Sequence, residues 1–197
     1  DDVALCQDAL NRLLARFGYP QRYTREQYRA IFGFPIEDYY RRAGFDFARN
    51  SFAELAESYM QDYIPASESC PLADGALYAL EAFRAAGVRQ VILSASPVTT
   101  LERQVRERSV LPYFDRLLGL GDIYAKSKVE VGLAFMRESG IDAEKTVMIG
   151  DSVHDFEVAQ ALGVHCVLQS AGHQPPETLQ TTGAPVLPGL RQAADRI

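Results

Sequence analysis

Apolar positions fall into two regimes along the 197 residues. From Asp1 to about Ser69 they return every three or four residues, the period of a helix. Val3, Cys6, Leu10, Leu13, Leu14 and Phe17 share one face, and Gly18 is placed to stop that helix. Thr24 with Gln27, in "TREQ", and Ser51 with Glu54, in "SFAE", carry the capping-box spacing. Most of the aromatic residues lie in this segment, among them Tyr28, Phe32, Phe34, Tyr39, Tyr40 and Tyr63. The pattern predicts a bundle of about four helices. "IPASESCPLADG" follows as a linker, in which Pro65 and Pro71 are expected to break helix.

Beyond the linker, short apolar runs alternate with helical periodicity. Strands are predicted in "VRQVILSAS", "FDRLLGL", "KTVMIGD", "VHCVLQSAG" and, weakly, "APVL". Helices are predicted in "GALYALEAFRAAG", "PVTTLERQVRERS", "KVEVGLAFMRESG", "HDFEVAQALG" and "LRQAADRI". The runs "VILS", "VMI" and "CVL" are uniformly apolar, as suits parallel strands covered on both faces. The fold class is α/β, a Rossmann-like doubly wound parallel sheet with a small α-helical bundle inserted. In such sheets ligands sit at the carboxyl ends of the strands.

Bulk properties narrow the partners. A net charge of -6 argues against nucleic acid or an anionic membrane as the main partner. No apolar run approaches the roughly 18 residues needed to span a bilayer, and no secretory signal is visible. Cys6, Cys70 and Cys166 are odd in number and form no C-x-x-C, which fits free thiols in a reducing cytoplasm. A monomer or homodimer is expected.

The candidate chemistry lies at the strand ends. In "VMIGDSVHDFEVAQALG" Asp151 ends a strand and Asp155 follows one helical turn later, on the same side. Two adjacent carboxylates repel unless a proton or cation intervenes, and Mg²⁺ takes hard oxygen ligands of this kind. The alternative is that Ser152 or Asp151 caps the helix and Asp155 complements its dipole. Ser94, expected to end its strand, with Ala95 and a helix starting at Pro97 could hold a phosphate, or Ser96 could simply be an N-cap. Lys126 and Lys128, in "YAKSKVEVG", stand before the next helix, and either could offset charge between a phosphate and the carboxylates. Ser127 is a good N-cap, which would place Lys128 in the first turn, pointing back toward the strand ends.

In that order along the chain, Ser94, the lysine and "GDSVHD" resemble the second, third and fourth motifs of the haloacid dehalogenase superfamily. The helical segment is similar to the cap of its phosphoglycolate phosphatase-like and β-phosphoglucomutase-like members. The resemblance implies a core of residues 1–6 and 71–197 and a cap of residues 7–70. It implies that Ser94, Ala95 and Lys128 bind the transferring phosphoryl group of a small phosphorylated metabolite, with Asp151 and Asp155 serving Mg²⁺. The family's first motif, D-x-D-G-T, which carries the nucleophilic aspartate, is absent from the sequence. Asp1 and Asp2 match the helix start that follows it. The expectation is therefore a first strand upstream of residue 1, and a 197-residue chain inactive alone. A sugar-phosphate mutase and a non-catalytic protein of the same fold are the alternatives. A dehalogenase fits less well, having no need of the metal carboxylates.

Overall fold

A computed structural model describes residues 1–121 and 127–196. Its first four helices are α1 (Val3–Arg16), α2 (Arg25–Ile31), α3 (Ile36–Arg42) and α4 (Phe52–Ser67). They share one apolar cluster in which Leu10, Leu13, Leu14, Tyr28 and Leu55 are almost completely buried. α1 runs unbroken past residue 6, and Val3 and Cys6 join the same cluster. Tyr39 and Tyr40 are core residues of the bundle. The Thr24–Gln27 capping box forms in full, with Gln27 N on Thr24 Oγ1 at 3.2 Å and Thr24 N on Gln27 Oε1 at 2.9 Å. At Ser51 the hydroxyl accepts from Glu54 N at 3.2 Å.

Pro65 does not break its helix, which continues to Ser67. A proline removes one helical N–H and crowds the preceding turn. Here only two helical residues follow it, so little ladder is lost, and the Ser67 hydroxyl donates to the Ile64 carbonyl at 2.8 Å.

The second part runs α5 (Ala76–Ala85), β1 (Val91–Pro97), α6 (Val98–Glu107), β2 (Arg116–Leu120), α7 (Lys128–Ser139), β3 (Val147–Gly150), α8 (Val153–Leu162), β4 (His165–Gln169), α9 (Pro176–Gln180), β5 (Val186–Leu187) and α10 (Leu190–Ala194). Only α9 was not anticipated. Every strand pairing is parallel, as the uniformly apolar runs predict. The described strands form two sheets, β1–β2 and β3–β4–β5. α7 packs on β1 and β2, α8 on β3 and β4, and the two helices pack on each other.

β1 and β3 face each other across a cavity of about 610 Å³, lined by Val91 and Leu93 on one side and by Val147, Met148 and Ile149 on the other. Among the described residues no strand lies between them. The residues of β1 and β3 are consequently half-buried rather than buried, although their composition suits strands covered on both faces. Lys128 and Asp155 also line the cavity.

Candidate functional site

Asp151 stands just past the end of β3, and Lys128 and Asp155 lie in the first turns of α7 and α8. Ser94 lies in the middle of β1, which runs on past it to Pro97. Asp151 follows the last residue of β3, and Ser152, in extended conformation, is the N-cap of α8. Asp155 is the third residue of that helix, and its carboxylate folds back over the turn. Its Oδ2 accepts from Asp151 N at 3.0 Å, Ser152 N at 3.1 Å and the Ser152 hydroxyl at 2.8 Å. Ser152 Oγ in turn accepts from Asp155 N at 3.2 Å, completing a capping box. Only glycine fits at position 150, since a Cβ there would lie 2.3 Å from the Asp155 Cβ.

The other oxygen of Asp155 meets the Lys128 ammonium. Lys128 opens α7 and is aimed there by the N-cap Ser127, whose hydroxyl accepts from Glu130 N at 3.3 Å. Burial alone would raise the Asp155 pKa, but the Lys128 charge and the converging donors outweigh it and hold the group below its ordinary value. It is a carboxylate that serves as helix cap and ion-pair partner together. The capping alternative is thus realised with Ser152 as the N-cap, and Asp155, which closes the capping box, takes the lysine contact as well. Lys126 lies outside the described residues.

Asp151 has the opposite electrostatics. Burial raises its pKa, and the nearby Asp155 adds to this, although His173 partly offsets both. Its Oδ2 accepts from His173 N at 2.7 Å, while its Oδ1 has no hydrogen-bond partner among the described residues. A carboxylate oxygen with no partner among the described residues, on a half-buried aspartate at a strand end, is a natural ligand for a hard cation such as Mg²⁺. The donor set fits Mg²⁺ unevenly: Asp151 has an oxygen to offer, whereas both oxygens of Asp155 already hold protein donors.

Ser94 follows Leu93 in β1, and Leu93 lines the cavity shared with Lys128 and Asp155. The Ser94 hydroxyl accepts from Ser96 N at 3.0 Å. Ala95 continues the strand. Ser96 is not an N-cap, because β1 runs on to Pro97 and that residue heads α6 without a side-chain cap. Among the described residues no hydrogen bond joins Ser94 to Lys128, Asp151 or Asp155.

A second polar cluster lies next to Asp151. His173 Nε2 is 3.1 Å from Asp2 Oδ1, and its Nδ1 is 2.7 Å from the Tyr28 hydroxyl. The Tyr63 hydroxyl donates to Asp2 Oδ2 at 2.6 Å. Burial disfavours charge on both Asp2 and His173, but their mutual attraction prevails: Asp2 is held below its ordinary pKa and His173 above. Phe32 stacks on His173 and Phe34 on His154, both at 4.6 Å between centroids. Asp2 and His173 are 171 positions apart, so no local sequence pattern marks the pair. Arg41 and Arg42, at the end of α3, are engaged locally: Arg41 with Glu37 and Asp38, Arg42 with the Ile31 carbonyl.

Parallel strands ending in a capped acidic turn beside a lysine define an α/β protein with acidic and basic side chains gathered at the carboxyl end of β3. The haloacid dehalogenase-like hydrolase family matches residues 1–169, and the chain belongs to that family. It is 27% identical over 126 residues to a phosphoglycolate phosphatase of Pseudomonas savastanoi pv. phaseolicola, a match covering 61% of this chain and 46% of that one. The chain thus spans about half the length of the curated relatives it matches. A predicted phosphatase from Clostridium acetobutylicum superposes with a TM-score of 0.83 at 17% identity, covering 100% of this chain and 91% of the other. CbbY of Rhodobacter sphaeroides, solved in complex with phosphate, gives 0.70 at 19% identity, covering 100% and 94%. At these identities the two structures show a shared fold. Among the described residues no helix is long and apolar enough to cross a membrane.

Proposed function

We propose that this chain supplies the metal- and phosphoryl-binding half of a Mg²⁺-dependent phosphomonoester hydrolase. The observation that carries the reading is the Asp151–Asp155–Lys128 network at the end of β3, beside the cavity that separates β3 from β1. Asp151 would hold Mg²⁺ through the oxygen that has no partner among the described residues, and Asp155 would support it by fixing the Asp151 amide and Lys128. When bound, the ion neutralises charge on the phosphoryl oxygens. The Lys128 ammonium retains N–H groups beyond the one on Asp155 and would hold a phosphoryl oxygen. The Ser94 hydroxyl donates to another.

The nucleophile would come from an extended strand filling the cavity between β1 and β3, whose facing edges suit a parallel partner. An aspartate at its end would attack phosphorus and release the alcohol, and water would then hydrolyse the aspartyl phosphate. The helices of residues 7–70 would act as a cap over the core. A small metabolite is the substrate class, phosphoglycolate being the one named for the curated relatives. With Arg41 and Arg42 engaged, the segment "FGFPIEDYYRR", a short turn leading into α3, brings no free arginine for a second anionic group. The free cysteines support a cytoplasmic location.

The test is phosphate release from small phosphate monoesters, with and without Mg²⁺, by the 197-residue chain and by a longer product that adds the upstream strand. Turnover is expected from the longer product only, and loss of it in Asp151→Asn. Metal-dependent turnover by the shorter chain would overturn the placement of the nucleophile. Recovery of an isomeric sugar phosphate instead of free phosphate would make the protein a mutase.

A further inference from the structure

The loop from Ser170 to Gln174 lies between the helical bundle and Asp151, and both sides grip it. On the core side, His173 N donates to Asp151 Oδ2 at 2.7 Å. Gly172 approaches so closely that a Cβ on it would lie 1.9 Å from the same oxygen. Val153 N, in the first turn of α8, donates to Gln174 Oε1 at 2.6 Å.

On the bundle side, Arg29 of α2 reaches both ends of the loop: its Nη2 donates to the Ser170 carbonyl at 2.5 Å and the Gln174 carbonyl at 2.7 Å. The buried Gln174 amide donates to the Phe32 carbonyl at 2.9 Å. The Tyr28 hydroxyl bonds the His173 ring, and Phe32 stacks on its face. The Arg29 Nε is buried without a partner among the described residues. Leaving that donor unsatisfied is costly, so the guanidinium is held where it is by what its Nη2 does.

We infer that Arg29 and Tyr28 are positioning residues for Asp151, acting through this loop. The bundle clamps the loop, the loop's His173 amide fixes one Asp151 oxygen, and the other oxygen is thereby aimed for a cation. Partners that orient a metal-binding carboxylate commonly change metal affinity by about 10–100-fold when lost. The inference rests on the reading of Asp151 as the metal ligand given above. It adds that docking of the bundle sets the geometry of that ligand.

The experiment titrates the 197-residue chain with Mn²⁺ in place of Mg²⁺, following the free-ion electron paramagnetic resonance signal, and monitors hydrogen exchange of the His173 amide by NMR. Four variants are compared: Asp151→Asn, Arg29→Met, Tyr28→Phe and Leu55→Ala. Asp151→Asn is expected to lose Mn²⁺ binding. Arg29→Met is expected to weaken it about tenfold and Tyr28→Phe several-fold, each with faster exchange at His173. Leu55→Ala, in the bundle core away from the loop, should lower the melting temperature and leave affinity unchanged. If Asp151→Asn binds Mn²⁺ normally, the metal reading itself falls. If it loses binding while Arg29→Met and Tyr28→Phe keep wild-type affinity, the positioning role is overturned and the metal reading stands. Should Arg29→Met fail to fold, Tyr28→Phe, which removes one hydroxyl, decides the question.

Discussion

The Lys128 ammonium and Asp155 Oδ1 form an ion pair in which each side chain is only about a tenth exposed (11% and 10%). Such a pair is costly to bury and costly to break, because removing one partner strands the other charge. Lys128→Met is therefore expected to destabilise the fold by about 3–5 kcal/mol. The lower figure is the better expectation, since Asp155 keeps three other donors on Oδ2. Chemical denaturation of the single variant and of Lys128→Met with Asp155→Leu tests this. The double variant should be more stable than a sum of single losses implies, because no lone charge remains.

Gly172 makes a steric prediction. A methyl group there would fall 1.9 Å from Asp151 Oδ2, so either the loop or the carboxylate must move. Gly172→Ala should cost about 1–3 kcal/mol, as overpacking does. It should also break the bond from the His173 amide, seen as a shifted and faster-exchanging amide resonance. A wild-type amide signal in a stable variant would show that this loop is softer than its contacts imply.

Much of this arrangement was legible in the sequence, where local physics governs. The i, i+4 spacing of Asp151 and Asp155 put both at one helix start, and the N-cap Ser127 correctly aimed Lys128 at the strand ends. The alternation of apolar runs with helical periods gave the parallel strands. What escaped was set by tertiary contact. The five-residue α9 is too short to show a period. Pro65 stays helical because the end of α4 tolerates it. The pairing of Asp2 with His173 spans nearly the whole chain, and no local pattern records such a contact. Nor could spacing reveal that Asp155 divides its oxygens between a helix cap and a lysine.

The Asp2–His173 pair predicts a window of pH. The folded-state pKa of Asp2 lies below its ordinary 3.8, so its contribution is complete above that pH and is lost as pH falls through the depressed value. The folded-state pKa of His173 lies above its ordinary 6.5, so its contribution is complete below that pH and is lost as pH rises through the raised value. The pair thus stabilises most between the two ordinary values. Comparing unfolding free energies of the wild-type chain and Asp2→Asn across pH should show the largest gap there, narrowing on both sides. A gap that does not change with pH would mean that the pair is not ionic.

The facing edges of β1 and β3 predict a pattern of amide exchange. Successive residues of a strand direct their backbone groups to opposite sides, so alternate amides of each strand point into the cavity and the others bond β2 or β4. In β4 the outward set is occupied, with Leu168 N on the Pro185 carbonyl at 2.8 Å. Slow exchange is therefore expected for β4, and alternating fast and slow exchange for β1 and β3 in the 197-residue chain. Open edges of this kind also invite association between copies, so the fast set should be measured at several concentrations. An extended apolar peptide that fits the cavity should slow the fast amides and leave the slow ones unaltered. Uniformly slow exchange at all concentrations in the absence of peptide would show that these edges already have partners, and the cavity would lose its role as a strand acceptor.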